Sequence, residues 1–158
     1  MIETPLRPLP EAVQSRVAEL SDAGNELAEQ GSIAEAQASF EQALALFPKP
    51  ETSWQGYTEL LAAVADMLFS SGNHSESLEW LQRAASAPDA DENAWLELRR
   101  GQVLLELGDA SGASHLGRAL SLGGPELFDD EDPKYFALAT EQVAPPTGFA
   151  SWEDARLP

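Results

Sequence analysis

The chain contains no cysteine in 158 residues, so it can form no disulfide framework and has no thiolate to act as nucleophile or metal ligand. A cysteine-free composition is most at home in a reducing, cytoplasmic compartment. Histidine is nearly as scarce. His74 and His115 lie far apart in sequence, and neither has the partners that a metal site or a nucleophile–base pair requires. There is no glycine-rich phosphate loop, no Gly-x-Ser-x-Gly elbow and no His-Glu-x-x-His pair, so the sequence assigns no catalytic residue, no metal ligand and no cofactor. No stretch approaches the roughly 20 apolar residues of a membrane helix. The N-terminal ten residues lack the basic start and apolar run of a secretory signal, and Pro5, Pro8 and Pro10 keep them extended.

Positive charge is also scarce. Nine Lys and Arg face 27 Asp and Glu, giving a formal charge of −18. Such an excess repels nucleic-acid phosphates and anionic lipid and favours a basic protein partner, although acidity also serves solubility alone. Nucleic acid, membrane and small-molecule substrates are therefore not the expected partners. The hydrophobic fraction of 43% is enough to fill a core in a chain of this length.

The apolar residues have helical spacing. Val13, Val17, Leu20 and Leu27 mark an amphipathic helix from Pro10 to Gln30, stopped at Gly31, because glycine enters the left-handed conformation of a helix end without steric cost. Ser32 and Glu35 have the spacing of a capping box. The helix they open carries Ala36, Phe40, Ala43, Leu44 and Phe47 on one face and ends at Pro48. Ala23, Gly24 and Leu27 let the second helix come close to the first.

The set Leu20, Ala23, Gly24, Leu27, Ala36, Phe40 and Pro48 resembles the signature of the tetratricopeptide repeat (TPR), with leucines where tryptophan and tyrosine are usual. A second match runs through Leu61, Val64, Ala65, Leu68, Ser77, Leu81 and Ala84, with Asn73 and Glu76 as a further cap. The interval from Gly31 to Gly72 exceeds the repeat period of about 34 residues, and the surplus between Phe47 and Leu61 is expected to form two extra helical turns carrying Trp54 and Tyr57. A third match uses Arg100, Gly101, Leu104 and Ala113. Its Leu116, Leu120 and Leu122 come one residue early, which places a deletion in the last helix. Asp89 or Asp91 should cap this pair.

The resemblance implies an all-α, TPR-like α-solenoid of three helix pairs, with a C-terminal capping helix and an extended tail, since each pair buries its apolar face only against a neighbour. The expected divisions are an N-terminal segment 1–9, hairpins 10–48, 51–87 and 91–122 within 10–124, a capping helix 125–142 and a tail 143–158. Asp132 and Pro133 open the capping helix, with Phe136 and Ala139 or Leu138 inward. The tail is an ordered arm or a loose end.

Function in such a fold resides on the concave surface. The resemblance places Asp22, Asn25 and Glu29 there from the first pair. It adds Glu59, Asp66 and Phe69 from the second, and Trp95, Arg99, Gln102 and Glu106 from the third. Trp54, Tyr57, Trp95 and Trp152 serve equally well as partner anchors or as core residues. The acids would repel the carboxylate end that some TPR proteins hold. The run Phe128-Asp129-Asp130-Glu131-Asp132-Pro133-Lys134-Tyr135 closing a short three-repeat chain is similar to the repeat-containing immunity proteins of bacterial polymorphic toxin systems. That resemblance implies a cognate basic toxin domain whose active site is occluded by the acidic surface. The alternatives are a general adaptor or assembly chaperone for basic segments of several clients, and an acidic mimic of nucleic acid.

Overall fold

The computed structural model describes residues 5–156. It contains seven α-helices among the described residues and no strand, only an isolated bridge between Arg7 and Trp54. No described helix is long and apolar enough to cross a membrane. Composition pointed to one core, but the helices gather into two compact units, Met1–Pro88 and Asp89–Pro158. A repeat array buries its apolar surface pair by pair, so its core is segmented.

The first unit holds α1 (Glu11–Glu29) packed on α2 (Ile33–Leu44), and α3 (Tyr57–Ser70) packed on α4 (His74–Ala85). Phe40 fills the first pair and lies against Gly24, where a Cβ would stand 2.9 Å from its ring. In the second pair the corresponding places are Leu81 and Ala65, and the buried Ser77 hydroxyl donates to the Ala65 carbonyl at 2.7 Å. That bond satisfies a polar group that burial would otherwise penalise.

Helices α1 and α3 end at the glycines that the sequence predicts, whereas α2 stops at Leu44, short of the expected Phe47, which follows in a turn. Gly31 and Gly72 adopt φ of 82° and 86°, and the next residue's amide reaches back to a carbonyl of the preceding helix, Ser32 to Leu27 and Asn73 to Leu68. This is the Schellman arrangement. Neither Ser32 nor Asn73 caps the following helix with its side chain, so the expected capping boxes do not form. Pro10 is the N-cap of α1 rather than part of its first turn, and its carbonyl accepts from Gln14.

The surplus before α3 is not extra helix. Residues Glu51–Ser53 make a single 3₁₀ turn, and Gly56, at φ 95°, starts α3 at Tyr57. The N-terminal segment pairs with this loop, Arg7 N donating to Ser53 O and Gln55 N to Arg7 O. Its first four residues, part of the extended segment expected over 1–9, lie outside the described residues.

The second unit holds α5 (Ala94–Glu106), α6 (Gly112–Gly123), a 3₁₀ turn (Pro125–Phe128) and α7 (Pro133–Gln142). Asn93 caps α5, its side chain accepting from Leu96 N at 3.0 Å, in place of Asp89 or Asp91. Gly101 and Gly112 are both buried where the two helices meet, with Leu116 packed against Gly101 and Leu105 against Gly112. The residue missing from the third repeat is thus lost from the turn between Gly108 and Gly112, not from the last helix. Gly112 rather than Ala113 takes the buried small place. Asp132 caps α7 and Pro133 opens it, but Tyr135, with Ala139, is the buried residue, while Phe136 is half-buried against Phe128. Over its described residues, 143–156, the tail is an arm packed on this unit, and the last two residues of the expected tail lie outside the described residues. Trp152, 8% exposed, joins the core of Leu98, Leu116, Leu120, Phe128 and Tyr135, and its indole donates to Val143 O at 3.0 Å.

Candidate functional site

In the first unit an open cleft of about 770 Å³ lies where α1 and the turn into α2 face the second half of α3. Helix α1 presents Asn25 and Glu29 one turn apart because Gly24 and the half-buried Leu20 and Leu27 occupy the side turned to α2. Helix α3 presents Asp66, one step off its buried Val64, Ala65 and Leu68. Ser70 and Ser71 complete the polar lining, and Ala28, Ile33, Ala63 and Met67 supply the apolar floor. The only charged side chains among the described lining residues are the two carboxylates. Between Arg16 and Arg83 the sequence has a single Lys or Arg, Lys49, so the negative potential of this face is offset by few charges of its own.

Three of the twelve sequence-predicted residues therefore meet here: Asn25, Glu29 and Asp66. Asp22 and Glu59 are exposed on the same helices but do not line the cleft, and Phe69 is half-buried beside His74, with ring centroids 5.3 Å apart. Trp54 in the interhelical loop and Tyr57 at the start of α3 are both held by neighbouring residues. The Trp54 indole donates to Pro48 O at 2.8 Å and the Arg7 guanidinium lies 4.4 Å from its ring centroid, while Tyr57 stands edge-on to Phe47. Trp54 and Tyr57 are both half-buried, and neither lines the cleft.

In the second unit the residues expected on the inner face of α5 are engaged by the chain itself. Gln102, fully buried, donates to Glu131 at 2.7 Å and accepts from Arg99. Arg99 is 8% exposed, lies over the Trp95 ring and stands 3.6 Å from the Glu131 carboxylate. Glu106 accepts from Lys134 Nζ and from the Tyr135 hydroxyl, at 2.8 and 2.6 Å. Burial first, and the Glu106 contact second, hold the Tyr135 hydroxyl well above the usual phenol range. The segment after α6 thus covers Arg99 and Gln102, and its acids serve the fold: Glu131 binds Gln102, Asp132 caps α7, and Asp129 pairs with Arg156. The acidic run that carried the likeness to immunity proteins is built into this unit.

Sequence reasoning missed the apolar half of the cleft, above all Ile33 and Met67. Their signal was their position beside Glu29 and Asp66, and it was masked because both read equally well as core residues. It also treated His115 as isolated, whereas its Nδ1 lies 2.7 Å from Glu97, which Arg118 and Arg100 also approach, at 3.5 and 3.9 Å. Among the described residues no three His, Asp or Glu side chains gather as a metal site would require.

No protein-family model matches the chain, and comparison with curated proteins finds no match. Solved structures do resemble it. The N-terminal domain of stress-induced protein-1 (STI-1) from C. elegans matches with a TM-score of 0.63 at 20% identity, covering 82% of this chain and 98% of that one. PcrH from Pseudomonas aeruginosa matches with a TM-score of 0.55 at 20% identity, covering 86% and 90%. At this identity the likeness establishes the architecture alone: the chain has an all-α, TPR-like fold of paired helices.

Proposed function

We propose that this chain is a protein-binding module whose α1–α3 cleft receives a basic segment of another protein. The observation that carries the reading is the lining itself: an open cleft in which the charged groups are carboxylates, one from each wall, above an apolar floor. A basic segment gains from both, through charge attraction that speeds encounter and through apolar burial that slows release. The TPR-like fold supports an adaptor or assembly-chaperone role as well as it supports a dedicated partner.

The narrower form of the proposal is an immunity protein that covers the active site of a cognate basic toxin domain. The formal charge of −18 supports it. The run from Phe128 to Tyr135 adds little to it, because those residues have structural partners within their own unit.

The test is to immobilise the wild-type chain and a Glu29→Lys, Asp66→Lys variant of matched circular dichroism, and to compare the proteins that each retains from the source lysate. Basic proteins held by the wild type and lost by the variant are the expected result. A single stoichiometric partner, toxic when expressed alone, would select immunity, and several salt-labile clients would select the adaptor. Identical sets on both surfaces would remove the cleft as the contact site.

A further inference from the structure

From the lining of the same cleft we infer that it reads one arginine side chain with an apolar neighbour, the guanidinium held by Glu29 and Asp66 and the neighbour seated on Ile33 and Met67. This inference rests on the protein-binding reading and narrows it to a recognition rule.

The acceptors come from different helices. Glu29 and the Asn25 amide project from α1, one turn apart, and Asp66 projects from α3. A cation between them is approached from two directions, and this arrangement distinguishes the two basic side chains. Lysine offers a compact ammonium with three donors, whereas arginine offers a planar fork of five, suited to acceptors that stand on different sides of it. The guanidinium is also the more weakly hydrated cation, so it loses less on leaving water for a partly enclosed site.

The apolar part fixes what stands beside the arginine. Met67 is 8% exposed, and with Ile33 and Ala63 it forms a floor next to the acids. Methionine adapts to branched or aromatic side chains alike, so the neighbour is read as apolar rather than by shape. At about 770 Å³ the cleft has room for several side chains, within the range of pockets that bury a ligand. A purely basic segment would leave the floor wet, and a purely apolar one would bring no charge to the acidic walls.

The experiment uses the full chain, labelled with ¹⁵N, and four short synthetic peptides: one with a Leu-Arg-Leu centre, and the same peptide with citrulline, lysine or alternating glycine in place of arginine or the leucines. Citrulline keeps the shape of arginine and removes its charge. The expected result is saturable shifts at Asn25, Glu29, Asp66 and Met67 amides with the Leu-Arg-Leu peptide. Affinity should fall about tenfold with citrulline, the effect of losing a charge-assisted contact, and by smaller steps with lysine and with glycine. Glu29→Gln and Asp66→Asn should each reproduce most of the citrulline loss at an unchanged melting temperature. Glu29 is exposed, so its variant keeps the test valid if Asp66→Asn disturbs the fold. Equal affinity for arginine and citrulline would overturn the inference, as would shifts confined to other faces. If the peptides fail while a folded basic protein such as lysozyme still shifts the cleft amides, the arginine rule falls and the module stands. If neither shifts them, both fall.

Discussion

Gly101 and Gly112 hold α5 and α6 so close that a Cβ built on Gly101 would lie 2.8 Å from the Gly112 carbonyl oxygen, and one on Gly112 would lie 2.5 Å from that of Gly101. Alanine at Gly101 would favour the helix by about 1 kcal/mol. The overlap is with backbone, which cannot rotate away, so the helices must separate. Gly101→Ala is expected to destabilise the chain by about 1–3 kcal/mol, read from denaturant unfolding. A stabilised variant would show that this approach is not rigid.

Phe40 and Gly24 form the equivalent contact in the first pair, side chain against backbone. Phe40→Ala empties a fully enclosed site and should cost about 3–5 kcal/mol. Gly24→Ala collides with the ring in the wild type, so it should cost less when Phe40 is already leucine. The double-mutant cycle should show a coupling of about 0.5–3 kcal/mol, and strict additivity would separate the two residues.

Gln102 depends on Glu131 for one of its hydrogen bonds while having no exposure at all. Glu131→Ala removes that acceptor and should cost about 1–3 kcal/mol. The neighbouring Asp130→Ala, at an exposed position, should change stability by less than about 0.5 kcal/mol. Equal effects in thermal melts would argue that the acidic run acts only as a solvated surface.

Tyr135 predicts a loss of stability at high pH. Burial, then the Glu106 hydrogen bond, raises its hydroxyl above the ordinary value of 10.0. The unfolded chain therefore releases this proton first as pH rises. The stabilisation is complete below about pH 10 and is lost as pH climbs from there toward the folded value. Melting temperature should fall more steeply above about pH 10 in the wild type than in Tyr135→Phe. Parallel slopes would remove Tyr135 as the cause.

Much of the architecture was legible because it is local. Gly31 and Gly72 end their helices through contacts within a few residues, and Ala36, Phe40 and Leu81 fall on faces that helical periodicity alone defines. The capping boxes misled because Ser32 and Asn73 each use the backbone amide to close the preceding helix, while their side chains leave the next helix uncapped. The one-residue offset at Leu116 was legible, but its location was not, since a gap in a turn and a gap in a helix shift the later residues equally.

The candidate site divided in the same way. Asn25, Glu29 and Asp66, which the repeat frame assigned to the inner face, all line the cleft, because an exposed face is defined by what its own helix buries. Arg99 and Gln102, assigned by the same frame, are buried within the second unit. Whether their face meets solvent depends on Glu131 returning from 29 residues after Gln102, and no local pattern encodes that return. Sequence by itself thus determined the helices, their breaks and their acidity, all consequences of spacing and composition. Only tertiary structure decided which helix face stays open as a cleft and which is covered, because that depends on contacts between residues far apart in the chain.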